Sequence, residues 1–195
     1  SGSALPGLVI EKIDSDFVSR TLQQLPMGVA LISGTNGKTT TTKIVVELLE
    51  SQGLKVFTNR TGSNFTRGVA AALLGEVDLH GRINADIAVL ELDEAYAVHF
   101  VKAIKPNYCL LLNVMRDQLD RFGEIDNTAK LLHNVAINTT KCVVLNRDDP
   151  RLSSPDFVND IKSPLRSFGV NPKYLQTFPS DDSLHSNEQI MARLY

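Results

Sequence analysis

Ile32-Ser33-Gly34-Thr35-Asn36-Gly37-Lys38-Thr39-Thr40 stands between an apolar run, 29–32, and a segment of helical period, 38–52. A strand, a glycine-containing loop and a helix in that order are the context in which a loop cradles phosphates. Gly34 and Gly37 let the backbone curl so that successive N–H groups point inward, and the helix N-terminus adds its partial positive charge to this anion nest. Lys38 is then expected to reach the β- and γ-phosphates of a nucleotide, and Thr39 to place its hydroxyl on the Mg²⁺ that bridges them. Thr35, Asn36 and Thr40 complete the loop as candidate phosphate-binding positions. The usual eight-residue pattern has its first glycine where Ile32 stands, so only Gly37-Lys38-Thr39 keeps that register. A turn without a ligand would need neither the lysine nor the threonine.

Working outward, apolar β-type runs alternate with helical segments. A second short strand is expected at 54–57, and the later runs at 87–92, 108–114 and 142–145 are nearly continuous in Val, Ile and Leu, as expected of strands covered on both faces. Between them, 64–74, 96–104 and 127–138 have the length and spacing of crossover helices. The expected class is α/β, a mostly parallel sheet with helices on both faces, over 1–170. From 171 to 195 the character changes, with Pro172, Pro179 and a polar run at 180–186, which reads as a tail or the start of an insertion.

Three further stretches end strands, where open α/β sheets hold their ligands. Glu91 follows four apolar residues and precedes Leu92, so burying its carboxylate calls for a charged partner; it is the candidate second Mg²⁺ ligand beside Thr39. Asp93 and Glu94 read better as a helix cap and first turn. After the run 108–114, Asn113 and Asp117 either face the nucleotide or belong to a salt-bridged surface loop. Asn146 and Asp149, in Asn146-Arg147-Asp148-Asp149-Pro150, suit an adenine edge or a ribose, although such residues before proline also form ordinary turns.

Composition narrows the function classes. The 195 residues are 43% hydrophobic and 22% charged with a formal net charge of −2, ordinary for one domain with a sizeable core. No clustered basic face suggests nucleic acid. Cys109 and Cys142 each lie in an apolar run and read as core, and the histidines form no zinc-spaced cluster with them. No stretch reaches the ~18 apolar residues of a spanning helix, and the start lacks a leader pattern, so a cytoplasmic protein is expected.

Together these stretches resemble the Mur ligases, ATP-dependent enzymes that form amide bonds in bacterial cell-wall precursors. The resemblance covers most of the chain. Gly34 to Thr40 is similar to the family's ATP loop, in which the early glycine stands as it does here. Leu90-Glu91-Leu92 is similar to its magnesium-binding glutamate. Asn113 with Asp117-Gln118-Leu119-Asp120-Arg121 resembles Asn-x-x-x-Asp-His-x-Asp-Arg, with Gln118 in place of a metal-associated histidine. With Asn59-Arg60-Thr61-Gly62-Ser63-Asn64, that substitution points to the amidating branch of the family. The resemblance therefore implies the cofactors ATP and Mg²⁺, and Asn64 joins the nucleotide-binding set. It also implies a lipid II substrate met at most by peripheral contact with the membrane, and a GatD-type glutaminase subunit supplying ammonia. Lys38 and Glu91 would serve catalysis; Lys130 is the nearest equivalent of the family's carbamylated lysine, or else a surface lysine. Relatives in this branch commonly carry a four-cysteine zinc ribbon after a Phe-Gly pair, here Phe168-Gly169, and the chain has two cysteines in all. The family's C-terminal domain closes on the ATP site and has no room within 195 residues, so these residues alone are expected to bind nucleotide with little or no amide synthesis. The rival readings are another amino acid ligase of the same family, including the folylpolyglutamate type, a P-loop nucleotide switch, and a non-catalytic domain that keeps the loop.

Overall fold

The computed structural model describes residues 13–59, 66–115, 124–171 and 173. Its strands are β1 (Gly28–Ser33), β2 (Val56–Thr58), β3 (Ile87–Glu91), β4 (Tyr108–Leu111), β5 (Cys142–Asn146) and β6 (Leu165–Phe168). They form one sheet in the order β2-β3-β1-β4-β5-β6, and every pairing is parallel. The helices are α1 (Phe17–Leu22), α2 (Lys38–Ser51), α3 (Thr66–Glu76), α4 (Glu94–Ala103), α5 (Glu124–Ile137) and α6 (Pro155–Val158).

The apolar runs divide between two faces because side chains alternate along a strand. Leu31 of β1, Leu90 of β3 and Leu111 of β4 enter the larger core, with Leu22 of α1, Leu73 of α3, Phe100 of α4 and Leu132 of α5. Ile32, Val89 and Leu112 point the other way and meet Val45, Val46 and Leu49 of α2. Helices thus cover both faces, as the near-continuous apolar strands led one to expect. Each fully buried Leu or Phe contributes roughly 1.5–3 kcal/mol by leaving water. The second face is less completely covered: Leu110, Cys142 and Val144 are only half-buried. The expectation that both cysteines are core therefore holds for Cys109, which is buried, and not fully for Cys142.

The expected helices 38–52, 64–74, 96–104 and 127–138 are α2 to α5, shifted by up to three residues. The run 108–114 ends as strand at Leu111: Leu112 and Asn113 still bond the backbone of Ser33 and Thr35, and from Val114 a side chain, that of Asp149, takes over. Three elements were not foreseen: the helices α1 and α6, of six and four residues, which are too short to show a helical period, and the edge strand β6, whose Arg166 and Ser167 are exposed. No helix among the described residues is long and apolar enough to cross a membrane.

The sheet order decides where a ligand fits. From β1 the chain leaves to β2 and β3 on one side and later returns to β4 on the other. This reversal opens a crevice beyond the carboxyl ends of β1 and β4.

Candidate functional site: a phosphate loop and its carboxylate

The loop between β1 and α2 lies in that crevice. Gly34 has φ +138°, and a Cβ there would stand 3.0 Å from the backbone nitrogen of Asn113 and 3.1 Å from Cβ of Leu112. Only glycine fits this close approach to the end of β4. Gly37, with φ +84°, is the N-cap of α2 and offers no side chain to cap it. The first intrahelical bond runs from the N–H of Thr41 to the carbonyl of Gly37. The N–H groups of Gly37, Lys38, Thr39 and Thr40 thus lack a partner in the helix and face the crevice mouth.

The other half of the loop is held differently. The N–H of Thr35 donates to the carbonyl of Asn113 (3.1 Å), and the N–H of Asn36 donates to Asn113 Oδ1 (2.9 Å). Asn113 Nδ2 donates back to the carbonyl of Asn36 (3.0 Å), and the N–H of Met115 donates to Thr35 Oγ1 (3.0 Å). Asn113, read in the sequence as facing a nucleotide or belonging to a surface loop, instead brackets the loop's backbone. The N–H groups of Thr35 and Asn36 are thus engaged with Asn113, whereas those of 37–40 have no partner within the helix.

Lys38 Nζ donates to the carbonyls of Gly34 (2.5 Å) and Thr35 (3.1 Å). An ammonium has three donors, so one remains for a ligand, held over the loop by the other two.

The carboxylate comes from β3. Thr39 Oγ1 donates to Glu91 Oε1 across 2.7 Å, and Glu91 is 8% exposed. The sheet register puts Glu91 opposite Ile32, on the face that α2 covers, which is why its side chain meets the first turn of that helix. Two adjacent ligands of octahedral Mg²⁺, each at about 2.1 Å, lie roughly 3.0 Å apart, so a hydroxyl and a carboxylate oxygen near this spacing suit that ion. Among the described residues no group of three or more His, Cys, Asp or Glu is placed to hold a metal, so a cation here would complete its shell from phosphate and water oxygens. The donor set fits Mg²⁺ brought in with a nucleotide.

Asp93 is the N-cap of α4, in extended conformation and without a capping hydrogen bond, and Glu94 opens the helix. Burial pushes the Glu94 carboxyl above its ordinary value, a hydrogen bond with Asp93 adds to the rise, and Lys38 opposes it. Beside Thr39 and Glu91 a cleft of about 350 Å³ is lined also by Thr42, Lys43, Thr58 and Asn59. It lies on the β2–β3 side of the loop, whereas Asn146 ends β5 and Asp149 lies in the turn after it, on the far side.

The remaining sequence-derived residues are placed as follows. Asp149 is 7% exposed, and its carboxylate accepts the N–H groups of Val114 (2.6 Å), Arg151 (2.9 Å) and Leu152 (3.1 Å). It ties the turn after β5 to the residue following Asn113. Asn146 Oδ1 accepts the N–H of Asp148, and its Nδ2 is not used in that bond. Lys130 is exposed on α5. Asn64, Asp117 and Gln118 lie outside the described residues. Sequence alone places Asn59 only within the family-like stretch 59–64 and gives it no role of its own; in the structure its amide exchanges two hydrogen bonds with the backbone of Glu91.

Known proteins can now be set beside this geometry. The lipid II isoglutaminyl synthase (glutamine-hydrolyzing) subunit MurT of Staphylococcus aureus (strain COL) is 33% identical over 163 residues, 82% of this chain and 35% of that protein. The subunit of the same name from Streptococcus pneumoniae (strain R6) is 32% identical over 191 residues, 97% of this chain and 40% of that protein. The chain therefore spans well under half the length of these relatives. In three dimensions it is similar to MurF ligase from Thermotoga maritima in complex with ADP, with a TM-score of 0.67 at 23% identity, over 84% of this chain and 36% of that one. The sequence pattern of the Mur ligase middle domain matches residues 32–192, and the chain belongs to that family.

Proposed function

We propose that this chain is the nucleotide-binding part of an ATP-dependent ligase that amidates the α-carboxyl of D-glutamate in the lipid II stem peptide, using ammonia from a GatD-type glutaminase. The observation that carries the nucleotide half is the Thr39–Glu91 pair set beside four helix N–H groups and Lys38. The amidation half rests on the similarity to the MurT subunits over 82% and 97% of the chain.

The chemistry then divides among residues in place. The N–H groups of 37–40 and the third proton of Lys38 bind phosphate oxygens and stabilise the charge that develops as the γ-phosphoryl is transferred. Thr39 and Glu91 would hold Mg²⁺, which when bound neutralises phosphate charge. The cleft on the β2–β3 side leaves room for the acceptor carboxylate beside that pair, away from the β5 end, where Asn146 suits the base or ribose. An oxygen of the acceptor carboxylate attacks the γ-phosphorus, ADP leaves, and an acyl phosphate forms. Ammonia adds to the acyl carbon, a proton is lost, and phosphate departs with the former carboxylate oxygen. Lys130, exposed on α5, keeps its proposed place as the carbamylated lysine only if the full-length protein brings it to the acceptor.

Calorimetric titration with a non-hydrolysable ATP analogue tests the nucleotide half. Mg²⁺-dependent binding that Lys38→Ala abolishes and that the GTP analogue does not match supports it. Absence of binding favours a non-catalytic domain that keeps the loop, and a preference for GTP favours the nucleotide switch.

A further inference from the structure

Asn59 follows β2 and is 5% exposed. Its Nδ2 donates to the carbonyl of Glu91 at 2.7 Å, and its Oδ1 accepts the N–H of Glu91 at 2.9 Å. The backbone pairing of β2 with β3 runs only as far as Thr58 opposite Val89. Past that point the Asn59 side chain takes the place of a further strand residue, since a primary amide carries the donor and acceptor that a peptide group does. On the other side Glu91 stands opposite Ile32, whose carbonyl accepts the N–H of Leu92 at 3.2 Å. The last residue of β3 is thereby held from both neighbours, although the β2 backbone has already left the sheet.

We propose that Asn59 is the positioning residue of the cation site: by fixing the Glu91 backbone it sets the Glu91 carboxylate against Thr39 for a magnesium–nucleotide complex. The inference rests on the reading of Thr39 and Glu91 as the cation's ligands. The role assigned to Asn59 is positioning, since its amide oxygen and one of its amide protons bond the Glu91 backbone. A useful contrast lies at the opposite end of the sheet. The N–H of Val29 donates to Asn107 Oδ1 (2.9 Å), and the N–H of Asn107 donates to the carbonyl of Val29 (2.8 Å), a similar bracket far from the loop.

The test measures how much Mg²⁺ tightens binding of a non-hydrolysable ATP analogue, as the ratio of affinities with Mg²⁺ and with EDTA. It is applied to wild type, Asn59→Asp, Asn59→Ala, Asn107→Ala and Glu91→Gln, each below its own unfolding transition. Asn59→Asp keeps the acceptor for the Glu91 N–H and loses the donor; Asn59→Ala loses both. Both Asn59 variants are expected to lower the ratio at least about fivefold toward that of Glu91→Gln, while affinity in EDTA stays within about twofold. Asn107→Ala is expected to lower Tm and leave the ratio unchanged. An unchanged ratio in a folded Asn59 variant overturns the proposal, as does an equal loss of affinity with and without Mg²⁺, which marks a general structural role. A wild type that binds the analogue with no Mg²⁺ effect overturns the cation reading itself, and this inference with it.

Discussion

Thr39 and Glu91, 52 residues apart, meet through a 2.7 Å hydrogen bond that joins the first turn of α2 to the end of β3. The helix supplies N–H donors and the strand a carboxyl side chain, so one short contact sets the two side by side. The Thr39 hydroxyl is a hydrogen-bond donor to the Glu91 carboxyl, which is 8% exposed.

Thr39→Val and Glu91→Gln should therefore act alike on metal dependence. Each is expected to weaken nucleotide binding in Mg²⁺ by about tenfold or more, which is about 1.4 kcal/mol. Binding in EDTA should change little, because the N–H groups of 37–40 and Lys38 remain. Titration with and without Mg²⁺ checks this; equal loss under both conditions contradicts it.

Asp149 allows a separation of structural and ligand roles. Three backbone N–H groups converge on its buried carboxylate, and hydrogen bonds to charged groups contribute about 1.5–3 kcal/mol each. Asp149→Asn turns an amide N–H toward one of those donors. It should destabilise the nucleotide-free protein by about 2 kcal/mol or more in urea melts. Stability unchanged, with nucleotide affinity alone reduced, would make Asp149 a ligand.

Glu94 predicts a pH dependence. Its carboxyl is raised above the ordinary 4.5, chiefly by burial, so the folded protein holds the proton more readily than the unfolded chain. That stability is full below pH 4.5 and is lost as pH rises through the folded value. Glu94→Gln keeps a donor toward Asp93 and cannot ionise. Its Tm profile should fall less than that of wild type above pH 4.5 and lie at or above it at neutral pH. Parallel profiles would contradict the reading.

The two cysteines should differ in reactivity. Burial pushes the Cys109 thiol up to about 12, whereas Cys142 is half-buried on the less covered face of the sheet. Iodoacetamide at pH 8 is expected to modify Cys142 first in the native protein and Cys109 only on unfolding, as read by peptide mass mapping. Equal native labelling would show that the core around Cys109 opens.

Much of this was legible in the sequence because it depends on near neighbours. Gly34, Gly37, Lys38 and Thr39 declare a strand, a turn and a helix within a few residues, and the runs in Val, Ile and Leu declare a sheet covered on both faces. The long-range brackets were not legible. Asn59 finds Glu91 32 residues away and Asn113 finds Asn36 77 residues away, and only the strand order β2-β3-β1-β4 brings each pair together. The same limit applies to Asp149: its place after β5 could be read, but not the inward turn of its carboxylate toward Val114. β6 lacked the apolar alternation of a strand because it is an edge with exposed side chains.

The most direct test of the account follows the oxygen. Lipid II labelled with ¹⁸O in the D-glutamate α-carboxyl is incubated with the full-length protein, its glutaminase partner, glutamine, ATP and Mg²⁺, and the released inorganic phosphate is analysed by mass spectrometry. One ¹⁸O is expected in phosphate for each amide formed, and no amide or labelled phosphate with Lys38→Ala. Amide formed without label in phosphate, or no amide formed by the wild-type complex, would contradict it.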